Sequence, residues 1–303
     1  MEKRRLGKSD LFVTELGLGC MSIGTDESAA RKIIETALEE GINYFDTADL
    51  YDFGENEIIV GKALKDVREK VIIATKAGNR WNPERTGWSW DASKAYIKEA
   101  VKSSLKRIGT DYIDLYQLHG GTIEDPIDET IEAFEELKAE GFIRYYGISS
   151  IRPNVIHEYV KKSTIVSVMM QYSILDRRPE EEALPLLLEN DISVVTRGPV
   201  AKGLLSDKML DKITVKGYLD YSEKGLRETL PLLKEKLAFS RSLTEVALQY
   251  NLANPAVASV VAGASSPEQI RSNASAVNST PLTPEEISLI KEITKATKYQ
   301  EHR

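Results

Sequence analysis

Asp46, Lys76 and His119 each close a short apolar run, and Tyr51 follows Asp46 by five residues. A tyrosine phenol has an ordinary pKa of about 10, too high for efficient proton donation near neutrality. An ammonium beside it stabilises the phenolate, and a carboxylate keeps that ammonium charged and in place. Histidine adds a hydrogen-bond donor for a carbonyl oxygen. Together the four suit polarising and protonating a carbonyl while hydride arrives from elsewhere. No protein side chain donates hydride, so a nicotinamide cofactor is implied.

Three further runs end the same way, in Ser149-Ser150, in Gln171 and in Arg197. One polar residue at the end of a buried strand is ordinary; six in register call for a common reason. The runs at 42–45, 71–74, 113–118, 143–148, 166–170 and 192–195 are short and rich in β-branched and aromatic residues, as strands buried on both faces are. The stretches 29–40, 57–65, 92–107, 127–140, 154–162 and 179–189 place apolar residues three and four apart and read as amphipathic helices. Strands at 15–19 and 258–262 bring the set to eight, and 4–6 with 12–14 read as a short N-terminal β-hairpin around Gly-Lys-Ser-Asp. This order predicts an α/β protein, a (β/α)8 TIM barrel forming a single domain over 1–303, with the six polar strand ends gathered at its C-terminal mouth. Segment 198–239 is too long for an ordinary connection and is expected to be a functional lid or a weakly ordered insertion.

Composition narrows the class. The 303 residues are 42% apolar, enough for a substantial core, and a net charge of -7 speaks against a nucleic-acid partner. No apolar stretch approaches the ~18 residues that span a bilayer, and no apolar signal segment follows the first residues; a cytoplasmic protein without a membrane partner is expected. With one cysteine, Cys20, neither an intramolecular disulfide nor a cysteine-based zinc site is expected, and no metal is assigned. Oligomeric state is left open. His157 and His302 read as solvated, and Trp81, Trp88 and Trp90 either seal the barrel edge or form an apolar substrate wall. Tyr218 and Tyr221 either close over a cofactor or are surface tyrosines.

Gly41-Ile-Asn-Tyr-Phe-Asp46-Thr-Ala-Asp-Leu-Tyr51, Ala-Thr-Lys76, Leu-Tyr-Gln-Leu-His119, Tyr-Gly-Ile-Ser-Ser150 and Val260-Val-Ala-Gly-Ala-Ser265-Ser-Pro-Glu-Gln269 occur in that order along the chain. In these motifs the sequence resembles the aldo-keto reductase superfamily, its bacterial members and, more distantly, the potassium-channel β-subunits. The resemblance implies Tyr51 as general acid, Lys76 and Asp46 as its activators, and His119 as the group that orients a small-molecule carbonyl substrate. It implies Ser149, Ser150 and Gln171 at the nicotinamide carboxamide, with Cys20, Met21 and Asp46 beside them. Gly198, Pro199, Val200, Ala201 and Gly203 would wrap the pyrophosphate, with Lys208 reaching the phosphates. Gly263, Ser265, Gln269 and Asn273 would bind the adenosine end. NADPH is the expected cofactor, with NADH as the alternative.

Three departures from the family pattern carry expectations of their own. Arg197 stands where many relatives have an aromatic ring on the nicotinamide; a guanidinium can also lie flat on a ring. Gly120-Gly121 should enlarge or loosen the pocket beside His119. Ser265, Ser266 and Gln269 replace the basic residues that often meet the 2′-phosphate. Two rival readings remain at this stage: a Schiff-base lyase using Lys76, and a redox-sensing nicotinamide-binding subunit with little turnover.

Overall fold

The computed structural model describes residues 1–238 and 241–303. A two-stranded hairpin, β1 (Lys3–Arg5) and β2 (Phe12–Thr14), precedes β3 (Leu16–Gly19), β4 (Tyr44–Asp46) and β5 (Ile72–Ala77). A second hairpin, β6 (Asn79–Trp81) and β7 (Trp88–Trp90), interrupts the series before β8 (Ile113–Leu118), β9 (Ile143–Ser149), β10 (Ser167–Gln171), β11 (Ser193–Arg197) and β12 (Val257–Gly263). The eight strands β3, β4, β5, β8, β9, β10, β11 and β12 pair in parallel and close into one barrel, with β12 returning to β3. The expected (β/α)8 barrel with its N-terminal hairpin is therefore what the chain forms.

All six residues of β5 and all six of β8 are buried, as strands covered on both faces must be. Outside the barrel lie α1 (Glu27–Glu39), α2 (Glu55–Leu64), α3 (Lys94–Ile108), α4 (Ile127–Ala139), α5 (Pro153–Lys162), α6 (Ala183–Glu189) and the short α7 (Met209–Lys212), followed by α8 (Glu223–Leu237), α9 (Leu243–Leu252), α10 (Pro267–Val277) and α11 (Pro284–Ile293). Their starts follow side-chain chemistry: Asp26 accepts from the Ala29 amide to cap α1, and Ser93 from the Tyr96 amide to cap α3. Inside the barrel, Tyr44, Ala74, Leu115, Met169 and Val195 pack with Leu6, Leu11 and Val13 of the hairpin segment. The hairpin thus plugs the N-terminal end and leaves the opposite mouth for a site. None of these helices is long and apolar enough to cross a membrane among the described residues.

The long segment after β11 corrects the sequence reading. Instead of a weakly ordered insertion it carries α7 and the 15-residue α8, whose Leu226, Leu230, Leu233 and Leu237 are buried at helical spacing. Pro231 inside that helix masks the pattern in the sequence. Of the described residues of this segment, Gly198, Lys202 and the turn Tyr218 to Asp220 line the cavity; Phe239, at the end of the segment as read, lies outside the described residues. The stretch 179–189, expected as one helix, is divided into a 3-10 turn at Arg178–Glu180 and α6.

Candidate active site

Parallel register sets the polar strand ends at one level. Lys76 pairs with Gln117, Gln171 with Arg197, and Gly19 with both Asp46 and Gly263. At this mouth opens a cavity of about 860 Å³ lined by Asp46, Tyr51, Lys76, His119, Ser149, Ser150, Gln171, Arg197, Gly198 and Gly263, together with Met21. Residues taken from eight stretches of sequence thereby meet in one place.

At its centre is the Lys76 ammonium, whose side chain is 1% exposed. It donates to Asp46 Oδ1 at 2.6 Å, to the Thr47 carbonyl at 2.7 Å and to the Tyr51 hydroxyl at 3.4 Å. Three N–H groups thus meet three acceptors, which fixes the ammonium as charged. Burial works against that charge, but the Asp46 carboxylate and then Tyr51 outweigh it and hold Lys76 above its ordinary value. Burial also pushes Asp46 up, against the pull of Lys76. The two directions disagree over where the pair keeps its proton. The donors around Asp46, Lys76 and Gln117 Nε2 at 3.4 Å, favour the ion pair.

His119 meets the Tyr51 ring edge-on, 5.9 Å between centroids. Burial, then the positive charges of Lys76 and Arg197, push its pKa down to about 3, so the imidazole is neutral at physiological pH. A neutral ring donates one hydrogen bond and is not a proton source. Its Nδ1 is buried with no protein partner among the described residues.

Tyr51 stands on an unusual turn. The two residues after it, Asp52 and Phe53, have φ of 48° and 52°, and Gly54 follows at 88°. A Cβ on Gly54 would lie 2.7 Å from Arg107 Cδ, and Arg107 is committed to Glu57 through Nε at 2.6 Å. The turn is therefore pinned from behind by a side chain that has little room to move. Gly54→Ala is expected to cost about 1–2 kcal/mol from its left-handed backbone alone, and to lower turnover by shifting Tyr51. Thermal melting together with kcat checks both.

Behind the site lies a polar cluster that motif reading overlooked. Glu57 is fully buried, held by Thr75 Oγ1 and Arg107 Nε, each donating at 2.6 Å. Next to it Asp49, 2% exposed, accepts from the Tyr96 hydroxyl at 3.3 Å, while its Oδ1 has no partner among the described residues. Burial, then the Glu57 charge, push Asp49 up to about 8, so it carries a proton at neutral pH. Unfolded, it ionises near its ordinary value of 3.8. Below that pH both states are protonated and its contribution is complete. Between there and about 8 the folded state holds one more proton, and stability falls by about 1.4 kcal/mol per pH unit. Asp49→Asn is expected to remove this slope: the Tm advantage of the variant over wild type grows as pH rises from 5 to 8 and then levels off.

Several expected positions fall elsewhere. Cys20 turns its thiol into the core, fully buried and with its pKa pushed far up by burial; its neighbours Met21 and Ser22 line the cavity instead. Lys208 does not line the cavity, whereas Lys202 does, on a turn where Ala201 and Lys202 have φ of 47° and 59°. Pro199, Val200, Ala201 and Gly203 belong to that turn without lining the cavity. Ser265, Gln269 and Asn273 do not line the cavity; the first two lie at the start of α10, the Ser265 amide donating to Gln269 Oε1 at 2.8 Å, and Asn273 lies midway along that helix. Arg197 donates to Gln171 Oε1 at 3.0 Å, and Gln171 Nε2 donates to Asp176 at 2.8 Å and to Tyr218 at 3.2 Å. Tyr221, in contrast, is buried and accepts from the Lys295 amide.

None of the three indoles lines this cavity; Trp90 packs against the core at the barrel edge, while Trp88 is exposed. Trp90 lies against Gly78 and Gly120, its ring 2.7 Å from where a Gly78 Cβ would be and 3.2 Å from that of Gly120, with Nε1 donating to Asp125 at 2.8 Å. Space that Gly120 leaves is thus taken by Trp90, and that side of the pocket is not loosened. His157 bonds to Glu182, and His302, read as solvated, lines the cavity with the tail residues Lys298 to Glu301.

The aldo/keto reductase family model matches residues 15–295. The chain belongs to the aldo/keto reductase family. It is similar to the uncharacterized oxidoreductase YqkF of Bacillus subtilis (strain 168), 62% identical with both chains covered in full. It is also similar to the NADH-specific methylglyoxal reductase of Escherichia coli (strain K12), 33% identical over 98% of this chain and 99% of the relative. Among solved structures it resembles the holo form of aldo-keto reductase AKR11C1 from Bacillus halodurans, at 63% identity, a TM-score of 0.95 and coverage of 100% and 99%. The apo form of that protein gives a TM-score of 0.86 at 59% identity, with the same coverage. Together with the barrel mouth, these relationships make this aldo/keto reductase an oxidoreductase of a family that binds nicotinamide cofactors.

Proposed function

We propose that this protein reduces aldehydes or ketones to alcohols with NADPH, Tyr51 being the proton donor. The contact of the Lys76 ammonium with Asp46 and the Tyr51 hydroxyl on the wall of one cavity carries this reading. Neutral His119 donates a hydrogen bond to the carbonyl oxygen and fixes it beside the phenol. As Tyr51 releases its proton to that oxygen, the ammonium stabilises the phenolate left behind. Asp46 keeps the ammonium charged in a buried place where it would otherwise be costly. Lys76, charged and with three acceptors, has no free amine for an imine, so the lyase reading is set aside.

The residues at the mouth fit a dinucleotide. Ser149 and Gln171 offer amide-matching groups, and Gly263 and Ser22 both line the mouth, packed so closely that a Cβ at Gly263 would lie 2.4 Å from Ser22 Oγ. A bound nicotinamide supplies the hydride. The greater likeness to the holo form than to the apo form of the Bacillus halodurans protein supports a conformation ready for cofactor. For the choice of NADPH the support is the exposed Ser265 and Gln269 at the start of α10, where helix amides favour a phosphate. Fluorescence titration tests the assignment: NADPH binding at least tenfold tighter than NADH is expected, and equal or reversed affinities would overturn the cofactor choice.

A further inference from the structure

On the carbonyl reduction proposed above, we propose further that the substrate carries a carboxylate and that Arg152 holds it. Arg152 precedes α5 and lines the same cavity as Tyr51 and His119. One guanidinium nitrogen donates to the Gly121 carbonyl, two residues past His119, and the Arg152 amide donates to Ser150 Oγ at 3.2 Å. The cation is thereby tied to the segment that bears His119. No carboxylate pairs with it, and no other side-chain N–H of Arg152 has a protein partner, among the described residues.

Its neighbours on the wall are neutralised. Arg178 is gripped by Asp176 through two contacts of 2.7 and 2.8 Å, Lys298 by Glu181 at 2.9 Å, and Lys76 by Asp46. Arg197 ends β11 and Lys202 lies on the turn after it, the side assigned above to the nucleotide. Of the acidic groups lining the cavity besides Asp46, Asp220 and Glu301, neither pairs with Arg152. A partly buried guanidinium without a counter-charge is unfavourable unless an anion completes it. Its planar fork matches a carboxylate through two parallel hydrogen bonds. A short oxo acid would therefore place its carbonyl at Tyr51 and His119 and its carboxylate at Arg152.

The test compares kcat/KM for 4-oxobutanoate and for its methyl ester, which differ in charge and little in shape, in wild type, Arg152→Gln and Arg152→Lys. Wild type is expected to favour the acid, and Arg152→Gln to lower the acid-to-ester ratio roughly 10- to 100-fold, mainly through KM; Arg152→Lys should recover part of it. A ratio near one in wild type, or a ratio unchanged in Arg152→Gln, would overturn the carboxylate assignment while leaving carbonyl reduction standing. A rise in the KM for NADPH in place of that for the acid would reassign Arg152 to the nucleotide and overturn it too. So would a larger Arg152-dependent preference for glyceraldehyde 3-phosphate over glyceraldehyde, which would make the anion a phosphate. Failure to reduce either 4-oxobutanoate or its ester, or any other aldehyde, would remove the underlying reaction and the inference with it.

Discussion

Tyr51→Phe is expected to bind NADPH as wild type does and to lose at least 10²-fold in kcat, within the 10²–10⁴-fold that a positioned acid contributes. The variant deletes one oxygen. Among the described residues that oxygen accepts from Lys76 at 3.4 Å and from no other protein group, so its loss leaves the Asp46 and Thr47 contacts of the ammonium in place. The Tyr51 ring keeps its edge contact with His119, and the turn through Asp52 and Phe53 is untouched. Melting temperature should therefore change little while turnover collapses. Nicotinamide fluorescence on binding and absorbance during turnover separate the two. Equal turnover with a good aldehyde would remove Tyr51 from the role of acid.

Lys76→Met should be worse on both counts. Side chains of Lys76 and Asp46 are 1% and 4% exposed, so removing the cation leaves a carboxylate in the barrel with, among the described residues, only the Gln117 side chain to donate to it. Breaking a buried pair from one side costs about 3–5 kcal/mol. The orphaned Asp46 then takes up a proton, so the loss relative to wild type is expected to be smaller at pH 5 than at pH 8. Asp46→Asn combined with Lys76→Met should recover much of the stability and none of the activity. Denaturant unfolding at two pH values, with kcat for each variant, checks this. A double variant no more stable than Lys76→Met alone would show that the ion pair does not govern local stability.

Much of the site could be read from residue order because the information is local. Asp46, Lys76, His119, Gln171 and Arg197 each close an apolar run, and a parallel barrel sends every strand end to one mouth. Features that depend on distant packing were not legible. Cys20 follows a strand end like its neighbours, yet its thiol faces the core, with the Cys20 carbonyl held by Asn56 of α2. Trp90 fills the space over Gly120 only because a hairpin of three-residue strands, too short to show alternation, folds back there. His302 and Arg152 reach the cavity through a tail carbonyl bonded to the Asn154 amide and a guanidinium on Gly121, contacts across about 150 and 31 residues of chain. Asp49 was in view within the motif segment and Glu57 six residues beyond it, but their buried pairing with Tyr96 and Arg107 needs α3 in place. Helix α8 carried its leucine spacing openly, and Pro231 with Gly225 hid it.

Carbonyl-dependent oxidation of reduced nicotinamide, with the alcohol product quantified, tests the central claim most directly. NADPH consumed and alcohol formed in a 1:1 ratio by wild type, with both lost in Tyr51→Phe that still binds NADPH, is the predicted result. Tight NADPH binding with no aldehyde- or ketone-dependent oxidation in wild type would contradict it.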